Sequence, residues 1–321
     1  MRRNLILFCL SASAAAALAA APPRPWPHDR FVRWQREWGA RTISADRISA
    51  RIERRACGDR RPVSEACADG DGYLVATVSA PGLAPVTIEG DAGLGGFVGI
   101  GRLGAGARRA SLVLVTEHGG TDDCGDVEIA VADGRAFRGV RLSIDAADHG
   151  TICGLPFTRL AWPRDLTGHG RAEMILPDMR LHCRFSSCAG SWRSFRVVAF
   201  DGTRGVDVSD DPVLAPMYRR DMAQARRACE HRVEEAQAAC AGLAFDAARV
   251  GRLAEVWPVI AAQVRRGCRV AATGTCPDID RIPLAFPAQL AAALHSSCQI
   301  GWRCPAMPSL GLVLLPPAGT R

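Results

Sequence analysis

Lysine is absent from this chain: all 40 basic residues among its 321 are arginine, and the formal net charge is +7. A guanidinium group pairs with phosphate or carboxylate through two parallel hydrogen bonds, so an excess of arginine suits an anionic partner. The arginines are interleaved with aspartate and glutamate along the sequence and form no long basic block. This interleaving favours a solvated surface and argues against a nucleic-acid-binding protein.

The sequence also lacks the motifs of several enzyme classes. It has no Gly-x-Ser-x-Gly elbow for a nucleophilic serine and no Walker loop for nucleoside triphosphates. Its glycine-rich stretch at 93–106 has neither the lysine of a phosphate cradle nor the spacing of a dinucleotide fingerprint. The sequence therefore identifies no reaction, and we expect no organic cofactor.

Long apolar runs are scarce, and the most prominent one stands at the N-terminus. Arg2 and Arg3 precede an apolar run from Leu5 to Leu18, and small residues follow up to Ala21. This order is typical of a secretory signal peptide, and the run is too short to span a bilayer as a permanent helix. We predict a signal peptide over 1–21, a periplasmic or secreted location in a Gram-negative cell by the Sec route, and no transmembrane span in the mature chain.

Cysteine is abundant: of 13 residues, Cys9 lies in the leader and twelve follow it. Cytosolic thiols are kept reduced, so an even number of cysteines behind a leader predicts a disulfide framework. Most of them can pair across short stretches of chain. Twelve cysteines allow about ten thousand pairings, so spacing gives candidate pairs and does not fix the connectivity. The candidate pairs are Cys57 with Cys67, Cys124 with Cys153, Cys183 with Cys188, Cys268 with Cys276, and Cys298 with Cys304.

Cys229 and Cys240 are harder to place. If one continuous helix joined them, eleven residues would separate them by about 16 Å, beyond the reach of a disulfide. Either the helix breaks between Glu230 and Glu235, or each cysteine pairs with another helix. No Gly or Pro lies between them, so both alternatives stay open at this point.

Zinc binding is the rival interpretation of the cysteines. His182 and Cys183 with Cys188, or His149 with Cys153, would supply the nitrogen and sulfur ligands that zinc prefers. Neither set contains the Cys-x2-Cys pair that is typical of zinc sites, and an oxidising compartment favours disulfides. We expect disulfides in both places.

Composition divides the chain after the leader into four parts. These are a Pro- and Arg-rich lead-in over 22–69, a β-rich domain over 70–215, a helical domain over 216–306 and a tail over 307–321. In the lead-in, Phe31, Trp34 and Trp38 fall at i, i+3 and i+7, and Ile48 and Ile52 at i and i+4. This spacing predicts two short helices.

The β-rich domain is predicted from short runs of β-branched residues that Gly, Pro and Asp interrupt. The turn-forming pairs Asp133-Gly134 and Asp201-Gly202 indicate antiparallel hairpins. The predicted strands are Tyr73–Val78, Val86–Ile88, Leu112–Val115, Val127–Val131, Val140–Ile144, Met174–Leu176 and Arg196–Phe200.

From Pro216 onward the apolar residues recur with a helical period. The first predicted helix carries Cys229 and Cys240 on one stripe. A second runs from Phe245 through Gly251 to Arg266, with a kink or interruption at Pro258, and a last short helix runs from near Pro287 to near His295.

Two segments of the β-rich domain are similar to each other: Gly101–Gly106 with Ser111–Val115, and Asp165–Gly170 with Glu173–Leu176. The run Asp165-Leu166-Thr167-Gly168-His169-Gly170-Arg171-Ala172-Glu173 resembles the Asp-x-Asp-Gly-Asp-Gly-x-x-Glu motif of FG-GAP and VCBS repeats, the blades of integrin-type β-propellers. The chain also resembles a group of secreted proteobacterial proteins that join such a β part to a helical C-terminal part. Their Gly-Gly-Ala-His-Cys-Cys signature would correspond to 119–124.

The resemblance implies an α+β fold, in which an antiparallel β-rich part of two degenerate FG-GAP-like units precedes a small helical part and disulfides staple the whole. Two units cannot close a propeller, which needs at least about four blades. The resemblance also implies a loop between Cys229 and Cys240, because the similar proteins have one there.

It further implies a calcium loop, with Asp165, Thr167 and Glu173 as candidate ligands. Asp165 and Glu173 keep the first and last acidic positions, but Thr167 and His169 replace two carboxylates. That loss weakens a calcium site, and the alternative is a turn that keeps its shape with Asp165 as a cap.

These observations favour an exported binding or scaffolding protein, without a catalytic role, whose partner is an envelope protein or a glycan. One alternative is an envelope-acting hydrolase with its site near His118, Asp122 and Asp123, because an imidazole beside carboxylates can perform acid–base catalysis. The other alternative is a calcium-dependent binding module.

Overall fold

The computed structural model describes residues 27–56, 72–90, 95–104, 107–119, 124–142, 151–155, 160–188, 190–231, 236–265 and 285–298. The fold is α+β, as predicted, with a large curled mixed sheet, a small three-stranded sheet and helices towards the C-terminus. The leader 1–21 and the tail 307–321 lie outside the described residues.

The large sheet contains ten strands, nine of them in the order β1-β6-β7-β8-β9-β5-β4-β3-β2, with β10 paired to β8. Neighbours are antiparallel except β5 and β9, which meet in parallel at Ala84 and Ala136. The sheet curls, so β2 comes within 8 Å of β6. The strands are β1 (Arg30–Trp34), β2 (Arg41–Ala45), β3 (Ile48–Arg55), β4 (Tyr73–Ala80), β5 (Leu83–Gly90), β6 (Gly95–Gly101), β7 (Ser111–Gly119), β8 (Cys124–Asp133), β9 (Ala136–Arg141) and β10 (Thr151–Ile152).

The two short helices predicted near the N-terminus are wrong: Phe31 and Trp34 lie in β1, and Ile48 and Ile52 lie in β3. Trp38 belongs to a single 3-10 turn, Arg36–Trp38, that follows β1. In β1, Trp34 faces the interior of the curl while Phe31 faces the other way and packs on Trp162, with ring centroids 5.2 Å apart. In β3, Ile48 and Ile52 lie on one face. A spacing of four residues fits a strand's period of two as well as a helical turn.

The small sheet is antiparallel and has the order β11-β12-β13, with β11 (Glu173–Pro177), β12 (Phe195–Phe200) and β13 (Gly205–Asp207). One face packs against the outer face of the large sheet, where Met174 and Val198 meet Val113 and Val127. The opposite face packs on the first helix, where Phe195 and Tyr218 stack with centroids 4.5 Å apart. The small sheet is therefore a middle layer between the large sheet and the helices.

Each of the seven predicted strands overlaps a strand of the structure. The prediction Val140–Ile144 overlaps only in part, because β9 ends at Arg141 and the described residue Leu142 lies outside it. The helices are α1 (Ala215–Glu230), α2 (Ala236–Arg249), α3 (Leu253–Arg265) and α4 (Phe286–Cys298), which pack around a common apolar cluster. Within the part of the chain that is described, no helix has both the length and the apolar character needed to cross a membrane.

The predicted continuous helix from Phe245 to Arg266 is wrong. The chain leaves α2 after Arg249, and Gly251 adopts φ +69°. The amide of Gly251 donates to Ala248 O at 3.1 Å and that of Arg252 to Ala247 O at 2.7 Å, which is the Schellman arrangement that a left-handed glycine permits. By contrast, α3 continues through Pro258 without interruption.

Three disulfides are present among the described residues, two of them candidate pairs of the sequence and one left open by it. Cys229 and Cys240 are bonded, with Cα atoms 4.8 Å apart, because α1 ends at Glu230 and α2 begins at Ala236. Of the two alternatives, the helix break is therefore confirmed. Cys124 pairs with Cys153 and Cys183 with Cys188. The predicted pairs Cys57–Cys67, Cys268–Cys276 and Cys298–Cys304 include residues outside the described ranges.

Candidate functional site

The turns at one end of the large sheet converge on a common surface, which we call the turn end. Because neighbouring strands are antiparallel, the β2–β3, β4–β5, β6–β7 and β8–β9 connections all lie at this end. The β6–β7 connection is the longest of these four and carries Arg108 and Arg109.

Two loops of the small sheet reach the same surface. They are the segment 165–171 before β11 and the turn at 201–204 between β12 and β13. The first loop lies tightly against the β6–β7 connection: a Cβ atom at Gly104, where φ is +120°, would lie 2.7 Å from Gly170 O. The two similar segments of the sequence thus contact each other, although their strands belong to different sheets.

A cavity of about 640 Å³ opens at the turn end between the two sheets. Arg108 and Arg109 line one side, and Arg171 and Asp201 line the other. The cavity lies within the size range of about 300–1,000 Å³ that is usual for small-ligand sites.

A second cavity of about 430 Å³ lies on the other side of the β6–β7 connection, at the mouth of the curled sheet. Arg108 and Arg109 line this cavity as well, together with Arg47, Arg102 and Asp46. The two cavities therefore adjoin along a ridge formed by Arg108 and Arg109. We call the two cavities and this ridge the arginine cleft.

The described lining of the arginine cleft has more positive than negative charge, with five arginines and two aspartates. Asp46 already faces Arg102, with 3.5 Å between Oδ2 and Nε. Asp201 serves its own turn, because Oδ1 accepts hydrogen bonds from the Thr203 hydroxyl at 2.7 Å and from two backbone amides. These hydrogen bonds lower the pKa of Asp201 to about 2, and the bond from the Thr203 hydroxyl has the largest effect. Asp201 therefore stays ionised.

The remaining cleft arginines lack such partners. Within the described residues, Arg47, Arg108, Arg109 and Arg171 have neither an ion pair nor a side-chain hydrogen bond. Other arginines of the chain are engaged, as in the pairs of Arg196 with Asp207 at 2.9 Å and of Arg226 with Glu230 at 2.9 Å. The cleft thus concentrates guanidinium groups that are free to bind an anion.

The predicted calcium loop is held by its own hydrogen bonds. Asp165 accepts from the amides of Gly168 and Gly170 at 2.7 and 2.9 Å. Glu173 is buried and accepts from the Thr167 hydroxyl at 2.7 Å and from the amides of Leu166 and Thr167. The oxygens of the candidate ligands Asp165, Thr167 and Glu173 therefore support the turn, and calcium binding stays a prediction.

The alternative hydrolase site cannot be assembled from the described residues. His118 is in the last part of β7, and its side chain, like the whole of Asp122 and Asp123, lies outside what the structure describes. That site also stays a prediction. The lining of the arginine cleft, as far as it is described, contains no histidine and no cysteine.

The sulfur atoms considered for zinc belong to disulfides. A ring nitrogen of His182 lies within 4.8 Å of the sulfurs of Cys183 and Cys188, and also of those of Cys124 and Cys153. Zinc binds thiolates, so these oxidised pairs offer it no sulfur ligand. His149, the other candidate, lies outside the described residues.

The buried carboxyl groups with shifted pKa values lie away from the cleft, between the small sheet and the helices. Burial opposes ionisation of Asp178, but Arg180 and Arg249 outweigh it and hold the pKa of Asp178 below its usual range. Arg249 Nη2 lies 3.0 Å from Asp178 Oδ2, and both side chains are fully buried. The neighbouring cavity has about 20 Å³, room for one water, so this network joins α2 to the sheet and does not form a ligand site.

Comparisons with known proteins add no family: neither a family model, nor a curated protein, nor a solved structure matches this chain. The function is therefore inferred from the residues of the site itself. The sequence did not predict the arginine cleft, since its arginines come from connections that are far apart along the chain.

Proposed function

We propose that this chain is an exported binding protein that holds an anionic ligand in the arginine cleft. The observation that carries the proposal is the group of four arginines, Arg47, Arg108, Arg109 and Arg171, which line adjoining cavities without a carboxylate partner among the described residues. A guanidinium group binds an anionic group through charge-assisted hydrogen bonds, often two in parallel.

Export is supported by the leader-like pattern at 1–21 and by three disulfides in the described residues. Disulfides persist in oxidising compartments such as the periplasm. Binding is favoured over catalysis because the described lining offers guanidinium groups and backbone but no histidine or thiol to move a proton or attack a substrate.

The proposal is tested with the disulfide-intact chain and a generic polyanion. Fluorescein-labelled dextran sulfate should bind, while labelled neutral dextran of the same length should not. The variant Arg108→Gln/Arg109→Gln should weaken binding of dextran sulfate at least tenfold. The matched control is Arg219→Gln/Arg220→Gln, which removes the same charge from two exposed arginines of α1 and should change affinity less than twofold.

Equal losses in the two variants would show that net charge alone attracts the polyanion, and would refute the cleft as a binding site. No binding of dextran sulfate by the unmodified protein would do the same.

A further inference from the structure

We infer that the ligand of the arginine cleft is an acidic oligosaccharide long enough to place anionic groups in both cavities at once. This inference rests on the proposed function and specifies its ligand. It begins from the ridge: Arg108 and Arg109 line both cavities, while Arg171 belongs to the larger alone and Arg47 to the smaller alone.

A ligand with one anionic group satisfies only part of this arrangement. Each cavity by itself is as large as a usual small-ligand site, at about 640 and 430 Å³. An anion bound in one cavity does not reach the arginine that lines only the other cavity, which is Arg171 in the larger and Arg47 in the smaller. A ligand chain with charges at regular intervals can cross the ridge and bind both Arg171 and Arg47. Once its first charge is bound, the second contact is intramolecular and therefore raises the affinity.

The lining disfavours nucleic acid as the polyanion. Proteins that bind single strands stack the bases on accessible aromatic rings. The aromatic residues that line the cavities are Phe137 and Phe200, which are only 5% and 8% exposed because they belong to the apolar cores below. A nucleotide chain would find cations here but no ring for its bases.

A membrane surface fits poorly as well. Peripheral binding combines basic residues with apolar side chains that enter the lipid. The large hydrophobic residues exposed in the described part of the chain, Ile175 and Val213, do not line either cavity. The arginines moreover lie in a concave cleft, not on a flat surface.

The turn glycines suit a saccharide. Gly134, Gly170 and Gly202 line the larger cavity with positive φ, and a Cβ atom at any of them would point into open space. Without side chains in the way, a sugar can approach the backbone of these turns closely. The Gly170 amide donates to Asp165 and the Gly202 carbonyl accepts from Arg138, so the sugar hydroxyls, which need both donors and acceptors, are left with the other backbone N–H and C=O groups of these turns. Guanidinium groups for the acidic substituents and bare backbone for the hydroxyls are the two components that an acidic glycan requires.

The test uses unesterified oligogalacturonates of one to six residues and, as neutral counterparts, fully methyl-esterified oligomers of the same lengths, with affinity measured by isothermal titration calorimetry. Affinity should rise at least 30-fold from the monomer to the hexamer, well beyond the sixfold statistical gain. The esterified series should not bind. Oligomers sulfated to the same charge distinguish sulfate from carboxylate as the preferred group, and either preference supports the inference.

Single substitutions locate the two contacts. Arg171→Gln and Arg47→Gln should each weaken hexamer binding about tenfold, whereas monomer binding should respond to no more than one of them. With four guanidinium contacts, the logarithm of the hexamer's association constant should fall against the logarithm of salt concentration with a slope of about −3. Each substitution should reduce that slope by about one. Arg219→Gln is the single-charge control on α1.

Several results would overturn the inference while leaving the proposed function intact. One is a pair of results: dextran sulfate binds in a way that depends on Arg108 and Arg109, but affinity along the oligogalacturonate series rises no more than the statistical gain. Another is loss from Arg171→Gln alone, which would confine the ligand to the larger cavity. A third is tighter binding of hexathymidylate, hexaglutamate or phosphatidylglycerol vesicles than of the hexasaccharide. If dextran sulfate itself does not bind, the proposed function fails first.

Discussion

The buried carboxyl groups of Asp221 and Asp246 should make the stability of the folded chain fall as pH rises above the ordinary aspartate range. Asp246, on α2, has no exposed surface, and its Oδ1 accepts a hydrogen bond from Ser194 Oγ at 2.5 Å. The carboxylate of Asp221, on α1, acts on Asp246 through its charge, and burial raises the pKa of Asp221 as well. Burial, and then the charge of Asp221, raise the pKa of Asp246 well above its usual value.

The magnitude follows from proton linkage. Burial and mutual repulsion oppose the ionisation of both carboxyl groups, so the folded pair keeps a proton, whereas both groups are ionised in the unfolded chain above about pH 4. The native state then binds one proton more than the unfolded state. The free energy of unfolding therefore falls by about 1.4 kcal/mol for each pH unit, from about pH 4 up to the raised pKa of the pair, and is flat above it.

The substitution Asp246→Asn should abolish this slope. The amide oxygen can still accept from Ser194 Oγ, and an amide takes up no proton on folding. Urea unfolding at half-unit intervals between pH 4.5 and 8, with disulfides intact, measures both chains. Asp133→Asn, at an aspartate whose side chain is 66% exposed, is the control and should keep the wild-type slope. The reasoning is refuted if Asp246→Asn keeps that slope too.

Three further perturbations test the packing, each by urea unfolding. Asp178→Asn leaves buried guanidinium groups under-neutralised and should cost about 3–5 kcal/mol; since the pKa of Asp178 is depressed, its stabilisation is present above about pH 4 and is lost as pH falls further. Replacing Cys229 and Cys240 together by serine should cost about 3 kcal/mol, the closure entropy of an eleven-residue loop, and an unchanged midpoint would contradict this. Gly104→Ala should cost more than Gly134→Ala: both have positive φ, worth about 1–2 kcal/mol, but only Gly104 would drive a Cβ atom into a carbonyl 2.7 Å away.

The strands that the sequence predicted well are those whose residue types strongly favour a strand over a helix or a loop. Met174–Leu176 and the run from Arg196 to Phe200 are β-branched or apolar over most of their length and are bounded by Gly, Asp or Pro. The lead-in was misread because Ile48 and Ile52 fit both a helical and a strand period, while Phe31 and Trp34 have a helical spacing although they lie on opposite faces of β1. Phe31 and Trp34 become strand residues only because β1 pairs with β6, about 65 residues further along the chain, and a local pattern carries no record of such a partner.

The helical part shows the same limit at its ends. The chain between Cys229 and Cys240 has no Gly or Pro to mark a break, and yet α1 stops at Glu230. The disulfide and the packing of α2 on α1 require a reversal there, and these are tertiary constraints. Gly251 did offer a local signal. It lies where a left-handed cap ends α2, and a glycine inside a predicted helix is as consistent with a C-cap as with a weak interior position.

The arginine cleft could not be predicted from the sequence for a different reason. Along the sequence, Arg171 follows Asp165, so charge appears balanced there. In the folded chain Asp165 accepts hydrogen bonds from the amides of its own turn, and Arg171 has no carboxylate partner among the described residues. A carboxylate that caps a turn remains negative but is fixed in direction and has fewer lone pairs for a guanidinium group. Interleaved charges in turn-rich sequences therefore do not imply paired charges, and an excess of unpaired arginine can gather wherever several such turns meet.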